Sequence, residues 1–199
     1  PAGDDLLRDR MVADLAEQFD PDEYNYISGG ERRDWFFSLI LAHFVQKPHI
    51  TLYKDLSAVL LLPDSTPEPL PRLPQGSRVL HIADLITEAS SYERAWIPAV
   101  TALGGRMTGS LVVVDRMQGG SELLARNGVR SESMVRVDRS LFDATRQGGL
   151  IRQGQYDLAT DYLGDPDGSM ERFMKARPEF MQNALEGGGK TAERARLCV

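Results

Sequence analysis

The chain has one cysteine, Cys198, at its C-terminal edge. No intramolecular disulfide can form, so a cross-linked secreted scaffold is excluded. Its three histidines, His43, His49 and His81, have no Cys or His partner at metal-ligand spacing, which argues against a zinc centre. Long apolar runs are absent: stretches such as Ser57 to Pro63 fall far short of the ~20 residues that cross a bilayer. There is no Walker loop and no nucleophile elbow. No signal-peptide pattern and no internal repeat is visible. With a lone cysteine, a reducing, cytoplasmic location is expected; the chain opens on Pro1 rather than Met, which leaves an upstream segment open. Positive charge is also short. Lys and Arg number 23 against 29 Asp and Glu, for a net charge of -6 and a pI near 5.1. That excess of acid argues against nucleic acid or an anionic membrane as the main partner.

What is present suits a soluble α/β protein. The 199 residues are 42% hydrophobic and 26% charged, enough for one full core with an appended helical piece. Asp4 to Phe19 reads as an amphipathic helix, with Leu7, Met11 and Leu15 four apart, stopped by Asp20-Pro21-Asp22. A short strand is expected over Glu23 to Ile27, a tight turn at Ser28-Gly29-Gly30, and a helix over Glu31 to Gln46. Strands follow at His49 to Lys54 and Ser57 to Leu62. Asp64 to Gly76 carries four prolines and is expected to run extended over the surface. Arg78 to Leu85 is the central strand, and Ser90 to Leu103 a helix that Pro98 should kink or shorten. Thr108 to Asp115 and Ser131 to Val137 are strands around a short helix, Gly120 to Asn127.

From Leu141 the patterns are helical only: Leu141 to Gln147, Tyr156 to Leu163 and Gly168 to Leu185, then Gly187 to Gly189 as a flexible break before a polar tail. Strands alternating with helices predict a central, mostly parallel sheet covered on both faces over residues 1–140, with a helical C-terminal extension over 141–199.

Four clusters carry chemistry. In Val79 to Ser91 an apolar strand ends in Asp84 and breaks into Thr87-Glu88-Ala89-Ser90-Ser91 before a helix. Free N–H groups and hydroxyls in such a turn suit a phosphate, and an acid at a strand tip suits sugar hydroxyls or a magnesium ion. The plain alternative is an S-x-x-E capping box, Ser90 to Glu93. In Ile27 to Asp34, paired glycines can let a backbone approach a diphosphate, with Arg32 or Arg33 adding charge; the alternative is again a capping box, Ser28 to Glu31. Lys54 is a strand-end base before Asp55, and an exposed lysine is its plain reading. Arg116 follows Asp115 at a strand tip, where open α/β sheets bind ligands; an Asp115–Arg116 surface pair is the alternative.

The first cluster resembles the signature of the type I phosphoribosyltransferases, in which an apolar strand ends in two acids and a Thr/Gly-rich loop wraps the 5′-phosphate of phosphoribosyl pyrophosphate (PRPP). Leu80 to Ile82, Asp84, Ile86, Thr87 and Ser91 fit; Ala83 stands at the first acid, Glu88 stands in the phosphate loop, and Ala89 and Ser90 replace glycines. The Asp115-Arg116 strand end with its glycine turn resembles the orotate branch. The resemblance covers roughly Tyr24 to Asp138.

It implies transfer of the phosphoribosyl group of PRPP to a pyrimidine-type base, with magnesium, in a homodimer. In that scheme Asp84 holds the ribose or its metal and Lys54 offsets charge. Thr87, Glu88, Ala89, Ser90 and Ser91 hold the 5′-phosphate, Ser28, Gly29, Gly30, Glu31 and Arg32 the pyrophosphate, and Arg116 reads the base. The orotate enzymes also carry a mobile loop with lysines and a histidine. Here Asp64 to Gly76 has neither, and Arg72 is its one basic residue. That departure favours a second reading, a catalytically inactive PRPP- or nucleotide-binding regulator of the same fold. A third is an α/β scaffold for another phosphorylated metabolite.

Overall fold

The computed structural model describes residues 2–62, 67–70 and 72–196. Cys198 and part of the proline-rich loop lie outside them. The chain divides between Val137 and Asp138 into two compact units. Among the described residues, no helix is long and apolar enough to cross a membrane.

The first unit is built on a seven-stranded sheet of order β4-β3-β2-β1-β5-β6-β7. The strands are β1 (Tyr26–Gly30), β2 (His49–Leu52), β3 (Ala58–Leu61), β4 (Glu68–Pro69), β5 (Arg78–Ile86), β6 (Arg106–Asp115) and β7 (Arg130–Arg136). β2, β1, β5, β6 and β7 run parallel, while β3 and β4 are antiparallel additions at one edge. The mostly parallel sheet expected from the apolar strands is what forms. Alternation along β5 divides two cores: Val79 and Ala83 pack on one face, Leu80 and Ile82 on the other. Helix α1 (Ala2–Gln18) and helix α2 (Trp35–Phe44) cover the second face through Met11, Leu15, Leu41 and Ala42. Leu7, assigned to the same stripe, is 42% exposed, so among the described side chains the buried stripe of α1 starts at Met11. Helices α3 (Ile97–Ala102) and α4 (Gly120–Arg126) lie on the first face through Ala99, Val100 and Leu124.

Several local expectations are corrected. The first strand spans Tyr26–Gly30, not Glu23 to Ile27; a 3-10 turn, Pro21–Glu23, precedes it, and Asp20 accepts the Asp22 N–H at 2.9 Å. Ser28, Gly29 and Gly30 are therefore strand, paired through Gly29 to Thr51 and Gly30 to Leu52. The glycines answer a packing need: a Cβ on Gly29 would meet Ser38, and one on Gly30 the Trp96 ring. The turn falls at residues 31–34, with a cis Glu31–Arg32 peptide, and α2 begins at Trp35.

The Ser90 to Leu103 helix opens as a π turn, Tyr92–Trp96, in which the Ile97 N–H bonds to Tyr92 O five residues back. Pro98, with no N–H to give, then sits in the first turn of α3, where none is needed. The Ser90–Glu93 capping box does not form: the Glu93 N–H bonds to Ala89 O at 3.2 Å, and Ala89 holds a left-handed φ of 57°.

The second unit is helical: α5 (Arg139–Gln147), α6 (Gln153–Gly164), α7 (Pro166–Ala176), α8 (Pro178–Glu186) and α9 (Gly189–Arg196). The single helix expected over Gly168 to Leu185 is two, because Pro178 pushes Arg177 out of helical geometry (φ -134°, ψ 60°). The described part of the polar tail is helical, and α9 begins on Gly189, the last glycine of the expected flexible break.

Candidate active site

Parallel pairing of β1 with β5 points both C-terminal ends at one edge of the sheet, the edge where open α/β sheets bind ligands. The turn after β1 and the turn after β5 face each other there. Between them lies a polar cavity of about 470 Å³, within the usual range for small-molecule sites. One wall carries Glu31, Arg32, Arg33 and Asp34, with Lys54 beside them. The other carries Ala83, Asp84, Thr87, Ala89, Ser90 and Ser91, above Tyr92 and Trp96.

A charged network crosses the cavity. Arg33 Nε lies 3.1 Å from Asp84 Oδ2. Asp34 Oδ1 accepts the Asp84 N–H at 2.9 Å, and Asp34 Oδ2 accepts the Gly30 N–H at 3.1 Å. His81, fully buried on β5, faces Asp34 Oδ2 with Nε2 at 3.5 Å, and its Nδ1 meets Ser28 Oγ at 2.9 Å. The imidazole is held edge-on to Tyr92 and stacked on Trp96.

Burial pulls the Asp34 carboxyl up, but the contact and charge of His81, with the Asp84 amide, outweigh it and hold its pKa below the usual value. Asp84 goes the other way. Burial first, then hydrogen bonding and charge from Asp34, raise its pKa against the opposing pull of Arg33. Burial, helped by the charge of Asp34, also raises the Tyr92 phenol, whose hydroxyl pairs with Ser110 Oγ at 2.7 Å. Two acids with opposed environments in one cavity are a recurrent mark of a functional site.

No family model matches the chain. An orotate phosphoribosyltransferase of Saccharolobus solfataricus is 29% identical over 89 residues, which are 45% of this chain and 45% of that protein. One of Sulfolobus acidocaldarius is 30% identical over 88 residues, 44% of each. The match thus spans less than half the length of these curated relatives. Among solved structures, the orotate phosphoribosyltransferase of Aeropyrum pernix gives a TM-score of 0.55 at 26% identity, covering 74% of this chain and 79% of that one. UMP synthase of Leishmania donovani gives 0.61 at 20% identity, covering 79% of this chain and 32% of that one, a likeness of fold alone. The chain is thus similar in sequence and fold to type I phosphoribosyltransferases, with orotate phosphoribosyltransferases among its relatives.

The site residues expected from the sequence fall into two groups. Glu31, Arg32, Lys54, Asp84, Thr87, Ala89, Ser90 and Ser91 come together around the cavity. Ser28, Gly29 and Gly30 do not line it: they lie buried in β1, and the Ser28 hydroxyl is taken by His81. Glu88 is exposed and outside the lining, so its carboxylate leaves the turn free for an anion. Arg116 is exposed just past β6. Its N–H bonds to Ile86 O at 3.0 Å, which sets it beside the Thr87 turn but outside the lining. The Asp115–Arg116 surface pair does not form. Asp115 is buried and accepts the Met117 N–H at 2.7 Å and the Ser121 hydroxyl at 2.6 Å, shaping the turn into α4.

The sequence gives no role to Asp34, and His81 stands out in it only as a histidine without a partner at metal-ligand spacing. The available signal was an acid closing the Ile27 to Asp34 motif. Among the described residues no cluster of three or more His, Cys, Asp or Glu side chains could hold a metal alone. The two carboxylates do fit magnesium brought in on a diphosphate, since that ion takes one or two protein carboxylates and completes its shell with phosphate and water.

Proposed function

We propose that the chain transfers the phosphoribosyl group of PRPP to a pyrimidine-type base and releases pyrophosphate, with magnesium. The observation that carries this reading is one cavity, at the ligand edge of a parallel sheet, that unites Asp84, Lys54, Arg32 and the Thr87–Ser91 turn while Glu88 stands exposed outside its lining. Thr87, Ser90 and Ser91 hydroxyls and the amides of the turn hold the 5′-phosphate. Asp84 accepts hydrogen bonds from the ribose hydroxyls or faces the magnesium. Arg32 and Lys54 offset the pyrophosphate charge, and Arg116 reads the base from beside the Thr87 turn. Catalysis in this scheme is positioning and stabilisation of charge at the sugar, without a covalent nucleophile. The test is pyrophosphate release from magnesium–PRPP with orotate, then with other pyrimidine bases. Turnover lost in Asp84→Asn and Arg116→Ala supports the reading; turnover unchanged in both contradicts it.

One observation favours the inactive regulator as a second reading. Arg72, the one base in the proline-rich loop, lies against Gly104, which precedes β6 and so belongs to the opposite edge of the sheet. It is badly placed to lend charge to the cavity. Tight PRPP binding with no base converted would select that reading.

A further inference from the structure

Asp34 is 8% exposed and stands on the wall opposite Asp84. An acid just before a helix normally caps it. Asp34 does not: it is itself in helical geometry and makes no side-chain bond to the first turn of α2. Its carboxylate is instead directed across the cavity floor to the Asp84 amide, back to the Gly30 amide and against His81. A buried acid is costly unless fully partnered, and this one has two amides and an imidazole that is itself pinned by Ser28 and two rings.

The partner strand shows a matching gap. His81 and Ala83 are two apart on β5 and share a face, the face on which His81 meets Asp34. Ala83 lines the cavity with only a methyl group, at the position where the strand resemblance leads to an acid. A carboxylate at 83 would fall on the side of the strand that Asp34 occupies.

We infer that Asp34 supplies the second carboxylate of the phosphoribosyl site, from the turn after β1 instead of from β5, and that His81 holds it in place. This rests on the PRPP reading. With Asp84 it offers hard oxygen acceptors, one from each wall, to ribose hydroxyls or to the cation that accompanies a diphosphate.

The test is calorimetric titration of magnesium–PRPP into wild type, Asp34→Asn, Ala83→Asp and the double variant, with thermal melting of each. Asparagine removes the charge and keeps an oxygen acceptor for one of the two amides, with its NH2 group turned to the other, which is why each variant is also melted. Asp34→Asn should weaken binding about 10- to 100-fold, as loss of such a partner does at metal sites. Ala83→Asp alone adds a third carboxylate and should weaken it too. In the double variant the acid returns from β5, and affinity should recover by about tenfold or more over Asp34→Asn, a coupling of opposite sign to additive damage.

A double variant weaker than either single one would overturn the inference, as would wild-type affinity in Asp34→Asn. If Asp34→Asn fails to fold, Asp34→Glu takes its place. Binding within about tenfold of wild type supports the inference, and no binding by the folded variant overturns it. Absence of binding by wild type itself is a separate result, which removes the PRPP reading and this assignment with it.

Discussion

Acid should destabilise this protein through His49 more than through any surface group. His49 lies on β2, 1% exposed, with Nε2 at 2.9 Å from Ser38 Oγ and Nδ1 at 3.1 Å from Thr51 Oγ1. Burial first, and then the charge of His81, lower its pKa from 6.5 to about 3. The folded chain therefore keeps His49 neutral while the unfolded chain binds a proton below 6.5. The contribution of His49 to stability is complete above its unfolded pKa and is lost as pH falls from there towards its folded pKa. At ~1.36 kcal/mol per pKa unit, the loss reaches about 3 kcal/mol by about pH 4.

His49→Gln keeps a polar side chain and removes the titration. Urea unfolding near pH 7 and near pH 4 should cost wild type about 3 kcal/mol more than the variant, whatever offset the variant shows at neutral pH. Parallel loss in the two proteins would refute the claim that this imidazole is held neutral by burial.

Two further outcomes follow from the same packing. Gly30→Ala places a methyl group against the Trp96 ring, in the floor of the cavity, and should destabilise by about 1–3 kcal/mol in thermal or urea melts; an unchanged midpoint would mean the two are not in contact. Glu88→Gln removes a charge that faces solvent, so magnesium–PRPP affinity should change by less than about threefold, within what an exposed charge contributes, whereas a tenfold gain would place that carboxylate inside the phosphate turn.

The sheet was legible because its strands declare themselves. Val79, Leu80, Ile82 and Ala83, interrupted by His81, and the run Leu111 to Val114 put apolar side chains on both faces, which only a strand buried between helix layers requires. The Thr87–Ser91 turn was legible for a similar reason, as small and hydroxyl residues follow an acid at a strand end. Contacts across the fold were not. Asp34 acquires its role from an amide 50 residues away, and no local pattern encodes that distance. Gly29 and Gly30 resemble a turn in sequence, yet they are glycine because Ser38 and Trp96 leave no space for a Cβ. Pro98 announced an irregular helix without saying that a π turn would absorb it. Arg33 and Arg32 are indistinguishable in the sequence, and only the folded turn pairs Arg33 with Asp84.

The central claim, that this cavity is a phosphoribosyl site, is tested most directly by calorimetric titration of wild type and Asp84→Asn with magnesium–PRPP, which requires no knowledge of the base. Micromolar binding by wild type, lost in Asp84→Asn, is the predicted result. No heat from wild type at any accessible concentration would contradict the claim.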